Sequence, residues 1–70
     1  MNTPMLFYVN PFTGDINQGQ VKSSSDCFVT FKELPSVGLG YNFVSTDKLS
    51  LIGLSNKIKR INDEYKRKVQ

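Results

Sequence analysis

The chain has no histidine, no tryptophan and a single cysteine among its 70 residues. The missing histidine removes the commonest general base near neutral pH and the commonest metal ligand. Triads of the Ser-His-Asp or Cys-His kind are thereby excluded. With Cys27 alone, neither an internal disulfide nor a cysteine-histidine metal cluster can form. A thiol without a partner suits a reducing compartment, so the expected location is cytoplasmic. Long apolar runs are also lacking. Met5–Val9 and Leu51–Leu54 fall far short of the ~20 residues that span a bilayer, so no membrane role is expected. Met1–Pro4 carries no basic side chain ahead of the first apolar run, and no secretion signal is read there.

The remaining chemistry is equally sparse. Asp15, Asp26, Glu33, Asp47, Asp63 and Glu64 are scattered. Asp63 and Glu64 are adjacent, so on a helix they point about 100° apart. The glycines at 14, 19, 38, 40 and 53 match neither a phosphate-cradling loop nor a dinucleotide fingerprint. No catalytic, cofactor-binding or metal-ligating residue is assigned, and the chain is read as a non-enzyme that requires no cofactor.

What is present indicates one small folded domain over residues 1–70. Hydrophobic residues make up 39% and charged residues 21%, which argues against disorder. A chain this short buries only about 60% of its unfolded surface, so stability rests on one modest core. The net charge of +3 is uneven. Residues 1–46 hold two cations and three anions, whereas residues 47–70 hold seven cations and three anions.

Local pattern divides the chain into strands within about 5–44 and a helical segment within about 47–68. Met5–Val9 is a short bounded apolar run and reads as a central strand. Asn10-Pro11-Phe12-Thr13-Gly14-Asp15 is dense in turn formers. Residues 16–22 return as a weaker strand in which Gly19 marks a bulge. Residues 23–26 read as a polar loop, and residues 27–32 as a strand with Cys27, Val29 and Phe31 on one face. Pro35, Gly38 and Gly40 make residues 34–40 a loop, and Tyr41–Val44 a further strand.

Beyond Asp47 the period changes. Leu51, Leu54, Ile58, Ile61 and Tyr65 follow spacings of 3, 4, 3 and 4, one stripe along a helix. Ser45 or Thr46 would cap it. The preferred reading is helical from about residue 47 with a break near Gly53. The alternative makes Leu49–Ile52 a strand and starts the helix at Ser55. The expected fold is α+β: an antiparallel sheet of three to four strands covered by one amphipathic C-terminal helix.

Four features suggest binding. Phe12, in a turn beside a rigid proline, suits a partner anchor; the bland alternative folds it back over the sheet edge. Lys57, Arg60 and Arg67, with Lys59, Lys66 and Lys68, make a basic helix that would attract nucleic acid. A solvated face, part-neutralised by Asp63→Arg67 and Glu64→Lys68 pairs, explains the same residues. Open sheet edges invite a partner strand or a second copy, and the wide helical stripe fits a homodimer. Leu39-Gly40-Tyr41-Asn42-Phe43-Val44 resembles the first ribonucleoprotein motif of RNA-recognition domains, a resemblance that implies bases stacked on sheet aromatics. Leu39 stands where that motif has a basic residue and Thr46 where it has an aromatic, so Tyr41 and Phe43 are read as core. Cys27 is read as a small buried apolar residue.

The functional expectation is a non-enzymatic protein-binding module. Small α+β proteins without catalytic equipment are common among phage and mobile-element products, where many act as inhibitors or adaptors on host proteins. A nucleic-acid-binding protein using the basic helix is the alternative, and a structural or assembly subunit a third.

Overall fold

In the computed structural model, which describes residues 5–69, a five-stranded antiparallel sheet is followed by one helix. The reading of Met1–Pro4 lies outside the described residues. The strands are β1 (Met5–Val9), β2 (Ile16–Ser24), β3 (Phe28–Phe31), β4 (Leu34–Gly40) and β5 (Val44–Ser45). A 3-10 turn at Tyr41–Phe43 joins β4 to β5, and a second at Lys48–Leu51 leads into α1 (Ile52–Val69). The spatial order is β4-β3-β2-β1-β5, with β5 returning to pair with β1 through Phe7↔Ser45 and Tyr8↔Val44. The α+β class is as expected, with five strands in place of three to four.

This topology forces the sheet to curl. β4 and β5 are the two edges, four inter-strand spacings apart, or about 19 Å if flat. The link from Gly40 to Val44 is four residue steps, at most about 14 Å fully extended, and it is wound into a tighter 3-10 turn. The edges must therefore approach each other. Register shifts between Val21 and Ser23 on β2 and between Thr30 and Phe31 on β3 supply the bending.

The core fills the concave face. Tyr8, Val21, Val29, Phe31 and Leu39 are buried there, with Leu6, Leu34, Val37, Phe43 and Val44 packed against them. The rings of Tyr8 and Phe31 lie 4.6 Å apart. They meet over Gly19, where an added Cβ would stand 2.7 Å from the Tyr8 ring and 3.1 Å from that of Phe31. Gly19 thus marks a close approach, and the bulge falls two residues later. Burial and, secondarily, the Glu33 carboxylate raise the Tyr8 phenol above its ordinary value. Glu33 itself accepts the Gln20 N–H through both oxygens at 3.2 and 3.1 Å.

Several expectations are corrected. Residues 34–40 form a strand, because an edge tolerates Pro35 on its unpaired side. Residues 41–43 turn at the point where the expected fourth strand would begin, so the ribonucleoprotein-like stretch presents no strand of stacking aromatics. Tyr41 is exposed and donates its hydroxyl to the Ser25 carbonyl at 2.6 Å, while Phe43 is half-buried. β2 runs on through Ser23 and Ser24. Cys27 is exposed, because β3 begins one residue later and the backbone of Cys27 is held in a turn by Ser25 Oγ. Asp47, not Ser45 or Thr46, caps the turn before the helix by accepting the Leu49 N–H at 3.1 Å.

The helix does not cover the sheet, which buries its own core by curling. Eighteen residues make a helix of about 27 Å, and the molecule measures 49 × 25 × 19 Å, so α1 overhangs one end. No described helix is long and apolar enough to cross a membrane.

Candidate protein-docking surface

The turn between β1 and β2 is built as a rigid platform. Asn10 Oδ1 accepts the N–H groups of Phe12 at 2.8 Å and Thr13 at 3.2 Å. The Asn10 carbonyl accepts the Gly14 N–H at 2.7 Å, and the Asn10 N–H donates to the Asp15 carbonyl at 2.8 Å. Gly14 has φ +83°, a conformation that side chains on L-residues disfavour. These bonds hold Phe12 outward, 68% exposed, and not folded over the sheet edge.

The helix docks on this platform through polar groups. Ser55, only 4% exposed, donates its hydroxyl to the Gly14 carbonyl. Asn62 Nδ2 donates to the Phe12 carbonyl at 2.9 Å, and Lys59 lies 3.7 Å from the Asp15 carboxylate. The ion pair is half-exposed on both sides and contributes little. The approach is close enough that a Cβ on Gly14 would stand 3.0 Å from the Ser55 carbonyl and 2.9 Å from Lys59 Cγ.

The buried or half-buried residues of this segment are Leu51, Leu54, Ser55, Ile58 and Asn62. Helical geometry centres this set about 35° around the axis from the apolar stripe of the sequence. That rotation leaves Ile61 53% exposed and Tyr65 69% exposed. Tyr65 and Phe12 line one open groove of about 430 Å³, together with Lys59, Asn62, Asp63 and Lys66.

The four partner-binding residues expected from sequence separate into two groups. Phe12 stands at this groove. Lys57, Arg60 and Arg67 are all exposed and share the opposite side of the helix with Glu64. The expected Asp63→Arg67 and Glu64→Lys68 pairs are not closed; among the described residues the ion pair formed is Lys59–Asp15.

Ile61 and Tyr65 were assignable to core by periodicity alone. Length carried the contrary signal: a five-residue strand spans about 17 Å, so a helix of about 27 Å must overhang it. A further exposed aromatic, Phe28 at 55%, lies over Gly38 beside Ser23, Ser24, Ser25 and Thr30. Among the described residues no three His, Cys, Asp or Glu side chains are grouped to hold a metal ion. Comparison with known proteins finds no family model, no curated protein and no solved structure that matches this chain.

Proposed function

We propose that this protein is a non-catalytic protein-binding module, of inhibitor or adaptor type, whose working surface is the groove lined by Phe12 and Tyr65. The observation that carries the reading is the pair of aromatic rings, 68% and 69% exposed, that line one groove between a hydrogen-bonded turn and a helix. Exposed aromatics on a rigid frame lose little conformational entropy on binding and are the residue class that dominates protein interfaces.

The test compares wild-type protein with Phe12→Ala, Tyr65→Ser and a Lys57/Arg60/Arg67→Gln variant, each immobilised and exposed to lysate of the native host with and without nuclease treatment. A protein retained by wild type and by the glutamine variant, and lost by both aromatic variants, supports the reading. Retention that disappears with nuclease and with the glutamine variant overturns it in favour of nucleic acid. All four proteins should fold alike, because substitutions at exposed positions usually change stability by no more than about 0.5 kcal/mol.

A further inference from the structure

We infer that the groove takes an acidic amphipathic helix, with an apolar side chain seated between Phe12 and Tyr65 and carboxylates meeting Lys59 and Lys66. This rests on the proposed protein-binding role and names the partner's chemistry. Phe12 and Tyr65 are the aromatic members of an otherwise polar lining, so an apolar anchor seats between those two rings. Two cations, Lys59 and Lys66, flank the groove against the single carboxylate of Asp63 in its lining.

Spacing sharpens the match. Lys59 and Lys66 are seven residues apart on one side of the helix, two turns or about 10.5 Å. A helical partner running alongside presents carboxylates at i and i+7 at that same interval, with its apolar anchor between them. Asp63 lies on the groove between the two lysines and repels a third carboxylate placed at the centre. Lys66 has no ion-pair partner among the described residues, and Lys59 shares only a half-exposed one.

A second copy of this chain fits poorly. It would set Lys59 and Lys66 against the same cations of its twin. The apolar part of the groove is also small, two aromatic rings, against the ~800 Å² per partner of a standard stable interface. A single helix laid in a groove requires less area and is anchored by a few side chains.

The experiment titrates three peptides of equal length into the labelled full chain, followed by amide NMR shifts and calorimetry. One carries apolar anchors with glutamates seven residues apart. The second has the same anchors and lysines in place of the glutamates. The third keeps the glutamates and has serines for anchors. The expected result is shifts centred on residues 12–13 and 59–66 with the first peptide, at least about tenfold tighter than with either of the others. Tyr65→Ser should abolish binding, and Lys59→Gln and Lys66→Gln should each weaken it about threefold. Equal binding of the acidic and basic peptides overturns the charge selection while leaving the docking surface in place. No binding of any peptide, or binding indifferent to Tyr65→Ser, overturns the inference. Capture of a protein through Phe12 and Tyr65 from lysate would still stand or fall separately. Tyr65-dependent binding to phosphatidylserine vesicles, with no response to the acidic peptide, also overturns it, in favour of a membrane surface.

Discussion

Ser55 donates its side-chain hydroxyl to the main-chain carbonyl of Gly14, a buried contact between residues 41 apart in sequence. It joins the helix to the turn that displays Phe12, so the geometry of the groove depends on it. Ser55→Ala leaves the Gly14 carbonyl buried without that partner and should cost about 1–3 kcal/mol. Gly14→Ala should cost at least as much. It forces a side chain into φ +83°, worth about 1–3 kcal/mol, and presses on Lys59 and the Ser55 carbonyl. Urea denaturation of the two variants checks both values. A wild-type midpoint in either would show that the helix is not held to the turn in this way.

Two other glycines should respond in opposite directions. At Gly53 an added Cβ meets nothing within 4 Å, and the residue lies inside α1. Gly53→Ala should therefore stabilise the fold by about 0.5–1 kcal/mol. At Gly19 the same methyl group would push into the Tyr8 and Phe31 rings. Gly19→Ala should destabilise by about 1–3 kcal/mol through overpacking. Melting temperatures that rise in both variants would contradict the packing described at Gly19.

The single thiol should be reactive in the native state. Cys27 is exposed, so Ellman's reagent should modify it as promptly in native buffer as after denaturation. A slow native reaction that accelerates on unfolding would mean that Cys27 is covered in solution.

Alkaline pH should weaken the fold through Tyr8. Its folded-state phenol is raised above the ordinary value of 10.0, chiefly by burial and then by the Glu33 charge. The folded form therefore keeps its proton where the unfolded form has lost it. The stabilisation is fully present below about pH 10 and is lost as pH rises from there through the raised folded value. Tyr8→Phe removes this dependence. The fall in melting temperature between pH 9 and pH 11 should be smaller in that variant than in wild type, because the lysines that titrate there are common to both. Equal falls would show that Tyr8 ionises alike in both states.

Elements defined by neighbouring residues could be read from the sequence. β1 follows from an apolar run between breakers, and the turn at residues 10–15 from Asn10, Pro11 and Gly14, whose side chain, ring and missing Cβ each restrict the local backbone. β3 follows from alternation and the later part of α1 from period. The absence of histidine and of any second cysteine likewise limits the available chemistry before any fold is known.

Burial depended on pairing across long stretches of chain, which no local window contains. Residues 34–40 look like a loop to any reading of Pro35 and two glycines, yet they form a strand because β3 offers them an open edge. The helix should have covered the sheet, but the return of β5 to β1 curls the sheet over its own core. With that core closed, the helix is oriented by Ser55 and Asn62, which bond to carbonyls of a turn more than forty residues earlier. A hydrogen bond from a buried or half-buried group must be made somewhere. Satisfying these two on the turn leaves the far end of the apolar stripe, Ile61 and Tyr65, facing water, with Tyr65 across the groove from Phe12.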